Sequence, residues 1–274
     1  MEYRTILVHV DQSPGAAVRV RFAAQLARLH GAHLIGAAAT GLSRYLPHDV
    51  LAQAGPAVQA RCDRLRQEAR EALARFAVLA AAEGVVSFEH SLAEDEAGCA
   101  LALRARYCDL VVLGQDMAET GRSAPGDLAA HVLLHGARPV LAIPGASTAR
   151  PGVDTLVGWD GSVQACRAID GAMPFLRAAG QVTVLSLGEG DEGWDRGAAD
   201  RCVAFLRRHG VVATPVQQPG GHRTGEALLD AAFAAGSGLL VIGAYGHARL
   251  REQILGGVSA TVLRAMRFPV LLAH

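Results

Sequence analysis

Two stretches of this chain have the same pattern at a fixed interval. Leu7-Val8-His9-Val10-Asp11-Gln12-Ser13 is an apolar run ending in Asp-x-Ser, and so is Leu156-Val157-Gly158-Trp159-Asp160-Gly161-Ser162. The same shift sets Ala16 on Ala165, Gly31 on Gly180, and His33-Leu34-Ile35 on Val182-Thr183-Val184. Further along, Leu110-Val111-Val112-Leu113-Gly114 parallels Leu239-Leu240-Val241-Ile242-Gly243, and Arg138-Pro139-Val140-Leu141 parallels Phe268-Pro269-Val270-Leu271. Self-similarity over this span makes the chain a duplication. It divides the 274 residues into two units of ordinary domain size. The join, Pro144 to Gly152, is rich in turn-forming residues, so the units are expected at 1–146 and 153–274.

Each unit alternates short apolar runs with amphipathic ones. In the second, strands are expected near 155–160, 181–187, 211–217, 238–243 and 269–273. Helices are expected near 162–179, 196–209, 223–236 and 256–266. In one of these helices Ala199, Cys202, Val203 and Leu206 share a face, with Arg201, Arg207 and Arg208 elsewhere. Strands without polar alternation belong to a parallel sheet covered on both sides. The fold class is therefore α/β, with two tandem doubly wound domains, each a five-stranded parallel sheet with helices on both faces. In the usual strand order 3-2-1-4-5 the first and fourth strands are neighbours. Asp160, ending the first, and Gly243, ending the fourth, then line one crevice at the carboxyl ends of the strands.

The loop after that fourth strand carries the second signal. Gly243 is followed by Gly246 and, nine residues on, by Gly256 and Gly257 at the start of a helix-like segment. Glycine lets a backbone approach an anion without a Cβ in the way, and a helix N-terminus offers outward N–H groups and a favourable dipole. No Lys-Ser/Thr follows the glycines, and G-x-G-x-x-G is absent. The spacing resembles the G-x2-G-x9-G-[ST] nucleotide motif of the universal stress protein family. The opening strand with Asp and the closing Pro-Val-Leu strand of each half extend that resemblance over the whole chain, as a tandem. One residue departs from it: Gly257 stands where the family has Ser or Thr.

The resemblance implies a stress-response regulatory protein. It would bind ATP or another adenine nucleotide, with or without magnesium, in its C-terminal domain. Asp160 would contact the adenosine part, with Trp159, Leu187 and Ile242 as apolar walls. Gly243, Gly246, Gly256, Gly257, Val258 and Ser259 would hold the phosphates, with His247 and Arg249 beside them in the loop. Alternatives stand next to these roles. Asp160 could cap the following helix, Trp159 could be core, and His247, Arg249 and Arg251 could belong to a solvated loop. Losing the Ser/Thr hydroxyl at Gly257 removes a hydrogen bond to a charged group, worth ~1.5–3 kcal/mol. The Gly257 N–H remains, and Ser259 can still offer a hydroxyl.

The first half lacks the motif. Met117 replaces the second glycine and Asp127 falls where Gly257 sits, with Asp116 and Glu119 nearby. Two unit charges ~4 Å apart repel by ~4 kcal/mol at an effective dielectric near 20. A micromolar nucleotide has only ~8 kcal/mol to begin with. The first half is therefore expected to bind no triphosphate while keeping the fold. In the family, single-domain members dimerise through the last strand, so the two closing strands are expected to pair within this chain. A further homodimer is left open, and the protein partner is unknown.

Composition excludes other classes. Lys plus Arg equals Asp plus Glu at 26 each, and no basic block suggests nucleic acid. No apolar run approaches the ~18 residues of a membrane span. MEYRTILVHVDQS enters a strand at once and lacks a signal-peptide pattern, so a cytoplasmic location is expected. The cysteines at 62, 99, 108, 166 and 202 contain no C-x-x-C and read as buried thiols. His131 and His135 share a helix face, but no third metal ligand is evident. The excursion from Gly41 to Ala60 reads as a surface loop or short helices. No residue that must activate water is evident, so any ATP hydrolysis should be slow. A nucleotide-free scaffold of the same fold is the alternative reading. An electron-transfer-flavoprotein-like or adenylating enzyme is a third, resting on fold analogy alone.

Overall fold

Most strands are short runs rich in Val, Leu and Ala, covered on both faces, whereas the edge runs Phe88–Ala93 and Ala213–Pro219 are more polar and largely not buried. The computed structural model describes residues 2–43, 45, 55–115, 127–146, 152–188, 197–221, 223–246 and 257–274. In the first half the order is β1 (Thr5–His9), α1 (Ala16–His30), β2 (His33–Ala39), α2 (Pro56–Ala82), β3 (Phe88–Ala93), α3 (Ala97–Ala105), β4 (Leu110–Gly114), α4 (Asp127–Gly136) and β5 (Val140–Ile143). In the second it is β6 (Thr155–Gly158), α5 (Val163–Ala178), β7 (Val182–Gly188), α6 (Ala198–Arg208), β8 (Ala213–Pro219), α7 (Thr224–Ala234), β9 (Leu239–Gly243), α8 (Val258–Ala265) and β10 (Val270–Ala273).

All ten strands form one sheet, in the order β3-β2-β1-β4-β5-β10-β9-β6-β7-β8. Within each half the strands are parallel and follow the doubly wound order. The exception to parallel pairing is the seam, where β10 runs antiparallel to β5. Leu141 faces Leu271, with Ala142 opposite Val270 and Val140 opposite Leu272. These are equivalent positions in the repeat, so the seam has local twofold symmetry.

Alternate residues of each strand feed opposite cores. In β4, Leu110 and Val112 join a cluster under α1, α2, α5 and α6, while Val111 and Leu113 join one under α3, α4, α7 and α8. Both clusters run through both halves. Tyr3 crosses the seam: its hydroxyl donates to the Gly171 carbonyl at 2.6 Å, and its ring lies 5.6 Å from that of Phe175.

The described elements of the second half start and end within about two residues of the sequence expectation, the usual fraying margin. The buried face of α6 is Ala199, Cys202, Val203 and Leu206. The 41–60 excursion needs correction. Pro56 sits in the first turn of α2, where its missing N–H costs nothing, so the last five residues of the excursion are helix. The cysteines also need correction: Cys166 is exposed and Cys99 half-buried. Among the described residues no helix is long and apolar enough to cross a membrane.

Candidate functional site

β6 and β9 are neighbours in register, with Gly158 opposite Ile242. Their carboxyl ends therefore open side by side, and a cavity of about 370 Å³ lies there. That is within the usual range for a small-molecule site, ~300–1,000 Å³. Trp159, Asp160, Leu187, Ile242, Gly243, Gly246, Gly257, Val258 and Ser259 all line it. His247, Arg249, Arg251 and Gly256 lie outside the described residues.

One side of the cavity is apolar, built by Leu185 and Leu187 of β7, Leu228 of α7 and Ile242 of β9. Trp159 shares two settings, packing against the core on one side while lining the cavity. Its indole Nε1 is buried with no hydrogen-bond partner among the described residues, which is uncommon for a buried donor. The other side is polar. Asp160 does not cap α5: its carboxylate accepts from the Ser162 N–H at 2.9 Å, and the cap is Ser162, whose hydroxyl accepts from the Ala165 N–H at 3.1 Å.

The start of α8 differs from that of α5. Its cap is Gly257, in extended conformation, which makes no side-chain cap hydrogen bond. The first-turn N–H groups stand at the positive end of the helix dipole. Ser259 in this turn is buried. Among the described residues lining the cavity Asp160 is the one acid, and none is a Lys, Arg or His.

The glycines have a second explanation that the sequence did not reveal. A Cβ on Gly243 would lie 2.5 Å from the Ala165 nitrogen and 2.9 Å from the Gln164 Cβ. The start of α5 is thus packed directly on the end of β9, and only glycine fits. A Cβ on Gly246 would meet Gln164 Oε1 at 2.9 Å, the far end of a flexible side chain. Between the two, Tyr245 adopts φ 57° and lines the cavity. A bulky residue in the left-handed region stores strain, and such residues cluster at functional loops. Burial, with the Asp127 carboxylate of the other half, pushes the Tyr245 phenol up. Gln164, Tyr245 and Thr224 were not singled out from the sequence, because no spacing rule marks them.

In the first half a buried arginine lies at the matching strand end. Arg19 is 3% exposed; its Nε donates to the His9 carbonyl at 2.7 Å and its Nη2 to Asp11 at 2.9 Å. The guanidinium lies against Gly114, at the end of β4. Position 168, its counterpart, is alanine. Asp11 also accepts from the backbone and hydroxyl of Ser13, at 3.0 and 2.6 Å. Gln12 is bridged to α2, donating to the Glu68 carbonyl at 2.6 Å and accepting from Arg75. Its counterpart Gly161 has open space around it. The sequence expectation for this half rested on acidic residues. Asp127 opens α4, whereas Asp116, Met117 and Glu119 lie outside the described residues. The buried arginine gave no sign, since one cationic residue on an amphipathic helix looks solvated.

Elsewhere, the His131 and His135 rings stack with centroids 4.4 Å apart. His131 Nε2 lies 3.8 Å from Cys99 Sγ, and among the described residues no group of three ligands could hold a metal.

Comparison with known proteins places this geometry in context. A model of the universal stress protein family matches residues 2–144, the half without the glycine motif. No curated protein matches the chain. A universal stress protein from Archaeoglobus fulgidus DSM 4304 superposes with a TM-score of 0.77 at 16% identity, covering 98% of this chain and 95% of that one. A putative universal stress protein from Pseudomonas aeruginosa UCBPP-PA14 gives 0.57 at 18%, covering 99% and 93%. At these identities the likeness concerns the fold.

Proposed function

The chain belongs to the universal stress protein family, and on that premise we propose a regulatory protein of the stress response whose second half binds one adenine nucleotide. The observation that carries the reading is convergence. Asp160 of the β6 end, the Gly243–Gly246 loop of the β9 end and the uncapped start of α8 line one cavity. The apolar side, with Leu187 and Ile242, suits a base. The open first turn of α8 suits a phosphate. ATP or a lower phosphate fits this scheme, and Asp160 is the described lining group that a magnesium ion could use. Little or no hydrolysis is proposed, since the described lining offers no base to orient water.

In the same reading, residues 1–146 and 153–274 are two domains, and the first carries no nucleotide because the buried Arg19, paired with Asp11, lies at its strand end. The β5–β10 contact would be the domain pairing, made within one chain.

A second reading has its own support. Gly243 is explained by helix packing alone, as a nucleotide-free scaffold requires. Mass spectrometry of material released from the purified protein separates the two. The proposal expects an adenine nucleotide at about one per chain, and the scaffold expects none. A released flavin would point to the third class. Phosphate release under saturating ATP should stay well below the ~10 s⁻¹ typical of enzymes and be the same in His247→Ala. Brisk turnover lost in that variant would show an enzyme.

A further inference from the structure

Gln164 lies in the first turn of α5, lines the cavity, and reaches the backbone of both loop glycines. Its Cβ is packed at Gly243 and its carboxamide oxygen at Gly246, which leaves the amide N–H groups on the other side of the carboxamide. Three other polar residues of the lining are already committed. Ser162 caps α5, Thr224 donates its hydroxyl proton to the Gly221 carbonyl at 2.8 Å, and Asp160 is an acceptor. A carboxamide carries two N–H donors and is uncharged. Among the described lining residues the donors open to an anion are neutral.

We propose that Gln164 is a specificity residue of this pocket, donating through its carboxamide to the phosphate of a phosphorylated nucleoside held by the Gly243–Gly246 loop. This rests on the adenine-nucleotide reading above and deepens it, by naming the side chain that distinguishes the nucleotide from its nucleoside. The position of Gln164, fixed by the packing of α5 on β9, lies far in sequence from the glycine motif.

The test is calorimetric titration of AMP and adenosine into the full chain, Gln164→Met and Gln164→Glu. Both variants keep the side-chain length, and an acidic residue in a first helical turn is favourable, so melting temperatures should not fall. The expected AMP affinities rank parent, then Met, then Glu, with the Glu variant down about tenfold or more. Adenosine, whether weak or measurable, should be the same for all three. AMP affinity that survives in Gln164→Glu overturns this inference alone. So does an equal loss in Met and Glu, or adenosine falling in step with AMP, since either would make Gln164 a spacer. A parent that binds no AMP overturns the adenine reading and this one with it.

Discussion

Gly243 and Gly246 are glycines for different reasons, and single substitutions separate them. A methyl group at Gly243 meets the backbone of α5, which cannot give way, whereas at Gly246 it meets the movable end of Gln164. Gly243→Ala should therefore cost about 1–3 kcal/mol of stability, the usual range for overpacking, and Gly246→Ala much less. Denaturant midpoints measure this, and a neutral Gly243→Ala would mean that α5 is not seated on β9. His9 sets a pH dependence. Its imidazole is held down to about 4 by burial and by Arg19, against the opposing pull of Asp11. In the unfolded chain it protonates near 6.5, so between those values the unfolded state holds the extra proton. Its contribution is complete above pH 6.5 and is lost as pH falls toward 4, by on the order of 3 kcal/mol. Burial alone would raise the Asp11 carboxyl, but Arg19, His9 and the two Ser13 bonds outweigh it and hold it at about 2. Asp11 thus adds a further loss below its ordinary range. Melting curves at pH 7, 5 and 4 should show the fall, and His9→Asn should flatten it above pH 4. An unchanged slope in that variant would assign the acid sensitivity elsewhere.

At the scale of elements, α8 links the two halves. Its first turn lines the cavity, and its last turn is tied to the other half through Gln115, directly after β4. Gln115 Nε2 donates to the carbonyls of Arg264 at 2.9 Å and Leu263 at 3.1 Å. These are orphan carbonyls of a helix end, so Gln115→Ala should lower stability by ~1–2 kcal/mol. Amide exchange should quicken in α8, from Val258 to Ala265, more than in α4; uniform quickening would contradict the cap. The elements themselves were legible because apolar runs of four to seven residues, punctuated by Gly and Pro, leave few alternatives to βα units. So was the meeting of Asp160 with Gly243, which follows from strand order. Arg19, Gln115 and Gln164 were not legible. Each acts across a gap in sequence, and nothing local distinguishes a buried Arg or a capping Gln from a solvated one. The full length of α2 was missed because its first turn follows a Gly- and Pro-rich stretch that reads as loop.

Over the whole molecule, the seam decides how the halves live together. β10 is apolar and fully buried between β9 and β5. Cut away from β5, it becomes an unpaired edge with a ready-made twofold register. Residues 151–274 alone should therefore self-associate in sedimentation, whereas a strictly monomeric fragment would contradict the role given to this strand. The asymmetry of the two crevices, one with the buried Arg19 at its strand end and one open, is the core of the functional account. It is tested most directly by the stoichiometry of nucleotide binding. Calorimetric titration of ATP into the full chain should give about one site, and Gly257→Asp, which sets a fixed negative charge at the open start of α8, should abolish it without loss of fold. Two equivalent sites, no binding up to millimolar ATP, or a Gly257→Asp variant that binds as the parent does would contradict the account.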